Sequence, residues 1–227
     1  MLIVIEGIDG SGKSVQAELL RDNLKERGFS ATMLDFPDYE SFSGAMIGDY
    51  LNGRYGPPLE VDPRFCALMY GLNRFEQADT LHRALDNYDA VILNRYTHST
   101  YSYHSCKLPV EQRATFLKWL EELEFDVFGL PRPDLTVLVS ITPEKSLELL
   151  ARKGDRDYVE GDAGTLDAHE KEERIRRGSF EAYREMLAAS EKWRVVDSLD
   201  QAGEIRPPRE IARDVLEKAL PLFGDGL

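Results

Sequence analysis

The string Gly7-Ile8-Asp9-Gly10-Ser11-Gly12-Lys13-Ser14 satisfies G-x-x-x-x-G-K-[ST], a spacing whose chemistry is the grip of phosphate oxygens. The glycines let backbone N–H groups converge on a triphosphate, and a helix opening behind them adds partial positive charge. In such a loop Lys13 reaches the β- and γ-phosphates of ATP, Ser14 ligates Mg²⁺, and the run from Gly7 to Val15 forms the cradle. The strand-like LIVIE precedes it and VQAELLRDNLKER, ended by Gly28, follows with helical spacing, so sequence and context agree. A phosphate loop alone fits GTPases, motor ATPases and kinases. No N-K-x-D guanine-reading string is present and no Asp ends an apolar strand in the Walker-B manner, since the third strand runs VILN into Arg95; both facts favour a kinase.

Other residues carry chemistry by type and place. Arg95 directly follows an apolar strand, where open α/β sheets bind ligands, and its fixed fork of donors suits phosphate oxygens. The rival for Arg95 is a surface ion pair. Tyr70 and Arg74 lie four apart in FCALMYGLNRFEQADTL and share one helical face, so one can stack on a pyrimidine while the other donates to its carbonyl. A core aromatic beside a solvated Arg is an equal reading from residues alone. His98 and His104 lack metal-ligand spacing and receive no role.

The elements that must position these groups follow from periodicity. Short apolar runs at Leu2 to Ile5, Ala31 to Leu34, Ala90 to Leu93, Leu135 to Ile141 and Trp193 to Val196 read as strands covered on both faces. Helical patterns separate them, which predicts a parallel sheet flanked by helices in one α/β domain spanning residues 1–227. KGDRDYVEGDAGT, from Lys153 to Thr165, is Gly- and charge-rich and reads as a lid over about residues 152–166. The chain carries 41 acidic and 28 basic residues, a formal net charge of −13, which repels nucleic acid and anionic membranes; a small anion can still be held by a local cluster of donors. Cys66 and Cys106 have no ligand spacing and read as reduced thiols, and MLIVIEGIDG lacks a basic n-region, so a cytoplasmic location is expected.

Taken together, EGIDGSGKS at 6–14, FPDY at 36–39, NRY at 94–96, GLPRPDL at 129–135 and an Arg-bearing lid closely resemble the thymidylate kinase family in order and spacing. The resemblance implies a P-loop NTPase three-layer fold with a five-stranded parallel sheet, transfer of the γ-phosphoryl group of ATP to dTMP with Mg²⁺, and a homodimer. It places Asp9 near the 3′-hydroxyl of dTMP and the metal, Arg95 on the 5′-phosphate, and Tyr70 and Arg74 on the base. It sets Thr100 against the thymine edge and Tyr103 beneath the sugar, where a ribose hydroxyl would be crowded. Phe36 and Tyr39 close over the substrate in the same scheme, with core packing as the rival for Phe36. Arg156 in the lid is expected as the transition-state arginine, with Arg152 and Lys153 beside it, because the phosphate loop carries Gly10 where some members carry Arg. Glu170 in LDAHE is expected near Asp9, with a helix N-cap at Asp167 as its competitor. The family's D-R-[YH] is here Asn94-Arg95-Tyr96, so an amide that can orient a metal-bound water through its carbonyl stands where a carboxylate would neutralise charge. That departure leaves open a kinase for another deoxynucleoside monophosphate, or a weak nucleotide-binding homologue.

Overall fold

A computed structural model describes residues 1–151 and 167–224. In chain order the main elements are β1 (Leu2–Glu6), α1 (Lys13–Glu26), β2 (Ala31–Asp35), α2 (Phe42–Leu51), α3 (Pro63–Glu76), α4 (Ala78–Asn87), β3 (Ala90–Asn94) and α5 (Thr97–Ser105). They continue with α6 (Val110–Glu121), β4 (Leu135–Ser140), α7 (Pro143–Leu150), α8 (Ala168–Lys171), α9 (Glu173–Ala189), β5 (Trp193–Asp197) and α10 (Pro208–Ala219). A π-helical turn, Glu122–Val127, extends α6.

The five strands pair in parallel in the order β2-β3-β1-β4-β5. The uninterrupted apolar runs LIVIE and AVILN are buried at every position, as central strands covered on both faces must be. The expectation that all five runs are so covered is corrected at the edges. Asp35 of β2 and Arg194 and Val195 of β5 are exposed, because an edge strand has a neighbour on one side alone and helical cover runs out beside it. A second correction concerns length: β2 runs to Asp35 and β3 to Asn94, and the register sets those two residues opposite one another. Two strands therefore do end on an Asp, β2 at Asp35 and β5 at Asp197.

One layer is formed by α1 and α10, whose Ala17, Leu20, Leu24, Ile211 and Val215 pack on Ile3, Ile5 and Ile92 of the sheet. The opposite face is covered by α5 and α9, with Tyr101, Ile175, Tyr183 and Trp193 in one apolar cluster. The loops leaving the C-terminal ends of β1, β2 and β3 thus open on one side of the sheet, the crevice where such folds bind ligands.

Candidate active site

The phosphate loop is shaped by its glycines and propped from behind. Gly10 has φ +75°, and a Cβ there would come 2.8 Å from the Ser146 carbonyl oxygen on α7. The Ser146 hydroxyl donates to the Asp9 carbonyl oxygen at 2.6 Å, so α7 fixes the loop's crest. This backbone has no room for the arginine that some family members carry at that position. Gly12 caps α1 in the left-handed region at φ +86°, and Lys13, Ser14 and Val15 follow along the helix start and line a cavity with Gly10 and Gly12. The Ile8 carbonyl accepts from Ser11 N–H at 3.2 Å and from Lys13 Nζ at 3.1 Å. Lys13 thus sits buried inside its own loop, 3.6 Å from Asp9 Oδ1.

Asp9 and Arg95 form the centre of the site. Arg95 pairs with Asp9 Oδ1, donates to Ser99 Oγ at 3.4 Å and lies 5.2 Å over the Tyr103 ring, whose hydroxyl donates to Asp9 Oδ2 at 2.7 Å. Burial opposes ionisation of Asp9, but the Arg95 and Lys13 charges and the Tyr103 hydroxyl outweigh it and hold its carboxyl well below the usual range. Arg95 has φ +68°, rare for a side chain of this size, and its N–H is anchored on the Ile5 carbonyl at 3.0 Å. Strain of this kind persists where surroundings over-determine it, and here it turns the guanidinium into the crevice.

A second, narrower cavity adjoins the first. Asp9, Phe36, Tyr39, Tyr70, Arg74, Arg95, Thr100 and Tyr103 all line it. Arg74 is 2% exposed and is held by Glu124 through two bonds, Nε to Oε2 at 2.6 Å and Nη2 to Oε1 at 2.5 Å, with Thr100 Oγ1 accepting from Nη2 at 2.8 Å. Nη1 keeps no protein bond among the described residues. Phe36 lines the cavity and also packs 6.1 Å from Tyr96 in the core. His104 and His169 also border this space; burial, reinforced by the Lys107 charge, keeps both imidazoles neutral, with His169 pushed down to about 3. His169 Nε2 meets the Tyr50 hydroxyl at 2.6 Å, while His104 Nδ1 has no partner among the described residues.

The two cavities share Asp9, Phe36, Pro37, Tyr39 and Arg95 as walls. A ligand in each would meet at the Asp9–Arg95 pair. Glu170 borders the phosphate cavity, yet its Oε2 accepts from Asp167 N–H at 3.0 Å while Asp167 Oδ1 accepts from Glu170 N–H at 2.9 Å. The N-cap at Asp167 is therefore real and Glu170 completes its capping box. Asn94 Nδ2 donates to Ser14 Oγ at 3.0 Å and to Asp35 Oδ1 at 2.5 Å, while its carbonyl Oδ1 is buried without a partner among the described residues. Arg152, Lys153 and Arg156, where a lid is expected from sequence, lie outside the described residues.

A divalent cation fits this chemistry in one way. Among the described residues no three His, Cys, Asp or Glu side chains gather into a metal cage. The hard oxygens of Ser14, Asp35 and Asp9 do face the phosphate cavity, a donor set suited to Mg²⁺ held mainly by nucleotide phosphates.

Three supporting residues escaped sequence reading. Glu6, wholly buried, accepts from Tyr96 N–H at 3.0 Å, Ser99 N–H at 3.1 Å, Ser99 Oγ at 2.5 Å and the Tyr183 hydroxyl at 2.7 Å, and so orients the segment bearing Arg95. Its signal was a Glu closing an otherwise apolar strand, where a buried carboxylate needs several donors. Glu124 holds Arg74 from a distant segment and gave no local signal. Asn73 ties down Asp38 through both its N–H and its carbonyl, at 2.9 Å each, fixing the loop that carries Phe36 and Tyr39.

The family model for thymidylate kinase matches residues 5–206. A thymidylate kinase of Mycobacterium tuberculosis is 30% identical over 209 residues, covering 90% of this chain and 95% of its own. One from Danio rerio is 24% identical, with 96% and 92% covered. The solved thymidylate kinase of Candida albicans superposes with a TM-score of 0.73 at 23% identity, covering 98% of this chain and 92% of that one, a likeness of fold.

Proposed function

The chain belongs to the thymidylate kinase family of P-loop nucleoside monophosphate kinases, and on that premise we propose that it transfers the γ-phosphoryl group of ATP to dTMP, giving ADP and dTDP. The observation that carries this reading is the shared wall: a phosphate cavity and a second cavity lined by Tyr70, Arg74 and Thr100 meet at Asp9 and Arg95. That arrangement suits one phosphate attacking another.

The nucleophile is an oxygen of the dTMP phosphate, largely ionised at neutral pH because a monoester's second pKa is about 6. No general base is needed. Arg95 holds that phosphate, and the Asp9 carboxylate keeps the guanidinium aimed. Lys13 exchanges the Ile8 carbonyl for phosphate oxygens, and the N–H groups of Gly10 to Ser14 take the rest. Mg²⁺, when bound, neutralises charge on the transferring group, with Ser14 and Asp9 as the residues the family resemblance assigns to it. Tyr70 stacks on the base, the Arg74–Thr100 pair meets its polar edge, and Tyr103 and Tyr39 border the sugar. Arg156 completes the charge neutralisation in this scheme.

The reading treats residues 1–227 as one domain, located in the cytoplasm, where the buried thiols of Cys66 and Cys106 stay reduced. No described helix is long and apolar enough to cross a membrane. A homodimer is also part of it. Phe65, Leu68 and Phe75 are 42%, 45% and 48% exposed and lie along one side of α3, and Val127 in the turn after α6 is 69% exposed. Leu68→Glu is expected to halve the mass seen by light scattering at micromolar protein; an unchanged mass rules this face out.

The substrate assignment is tested by ADP release with Mg-ATP against dTMP, dUMP, dCMP, dAMP and dGMP. Preference for dTMP, with dUMP next, is the expected order. Faster turnover of any other monophosphate sinks the assignment.

A further inference from the structure

Among the described residues three carboxylates line the phosphate cavity: Asp9, Asp35 and Glu170. Asp9 is taken by Arg95, Lys13 and Tyr103, and Glu170 holds the α8 cap with Oε2. Asp35 gives Oδ1 to Asn94, and its Oδ2 has no partner among the described residues. Because β2 is an edge strand, this carboxylate stands exposed at the cavity's rim.

Asn94 explains why it stands there. The side chain is 8% exposed, and its one nitrogen spends its hydrogens on Asp35 Oδ1 at 2.5 Å and on Ser14 Oγ at 3.0 Å. A carboxylate and the phosphate-loop hydroxyl are thereby held side by side. An amide can do this where a carboxylate cannot: a second carboxylate at 94 would meet Asp35 as a like charge, which disfavours ionisation of one of the two. The negative charge is present at this corner of the site, displaced by one strand.

We propose that Asp35 is the carboxylate serving the divalent cation of this phosphate site, with Asn94 as the positioning residue that sets it beside Ser14. The proposal rests on the phosphotransfer reading above. It also answers the departure at NRY, since the amide is the complement of Asp35 and the site keeps its charge.

The test is Mn²⁺ titration of the protein–ADP complex, followed by the electron paramagnetic resonance signal of the free ion, with thermal midpoints as a control for folding. Asp35→Asn is expected to weaken Mn²⁺ binding about 10- to 100-fold, the scale for losing a carboxylate that supports a metal site, while metal-free ADP affinity holds. Asp35→Asn combined with Asn94→Asp exchanges the two groups across one contact and is expected to recover most of the loss. An Asp35→Asn protein that titrates like wild type, or an exchange variant as weak as the single one, overturns the role of Asp35. If the wild-type protein binds no Mn²⁺ in the presence of ADP, the phosphotransfer reading falls and takes this proposal with it.

Discussion

Arg95→Ala is expected to lower kcat/KM for dTMP about 10³-fold, or about 4 kcal/mol, within the range for truncating one member of a hydrogen-bonded charge pair, here partly buried. Two losses coincide: the acceptor phosphate loses its fork of donors, and Asp9 keeps only Lys13 and the Tyr103 hydroxyl. Steady-state kinetics separates this from a general defect, because KM for ATP should move by far less than kcat/KM for dTMP. Arg95→Lys should recover only a part, since a point charge cannot replace planar, paired donors. Equal damage to both substrates would mean that Arg95 holds the phosphate loop and not the acceptor.

Glu124→Ala should cost stability first. Arg74 is 2% and Glu124 0% exposed, so removing the carboxylate strands a guanidinium in the interior, at about 3–5 kcal/mol. For a chain of this size that lowers the melting temperature by roughly 10 °C, read by calorimetry. The Thr97 hydroxyl, which donates to Glu124 Oε2 at 2.7 Å, loses its acceptor as well. Replacing the pair together, Arg74→Met with Glu124→Leu, should restore most of the stability while still failing to select dTMP. That split separates the structural share of the pair from its share in base recognition. A double variant that kept dTMP selectivity would remove Arg74 from the base site.

What the sequence disclosed and what it hid divides along physical lines. The phosphate loop was legible because its function is carried by eight consecutive residues, and the sheet because buried parallel strands leave apolar runs such as AVILN. Tyr70 and Arg74 could be paired by helical spacing. The partner of Arg74 could not, since Glu124 lies 50 positions away and its segment leaves α6 as a π-helical turn. Asp35 was missed for a different reason. An Asp is a poor strand residue, and the apolar run itself ends at Leu34. One further residue of β2 puts Asp35 opposite Asn94, and an apparent defect in NRY becomes one half of a pair. The glutamate expected to organise the site, Glu170, turned out to share its carboxylate with a helix cap, as the competing reading of Asp167 allowed.

Attack of phosphate on phosphate where the two cavities meet, as proposed, makes a bond that the ³¹P spectrum of the products reads directly. With Mg-ATP and dTMP the account predicts two coupled doublets of a 5′-diphosphate, growing in step with ADP. Asp9 is assigned a place near the 3′-hydroxyl, so transfer to that oxygen is the concrete alternative; it would give two uncoupled monoester signals instead. Either those signals or inorganic phosphate alone, the mark of ATP hydrolysis, would contradict the account.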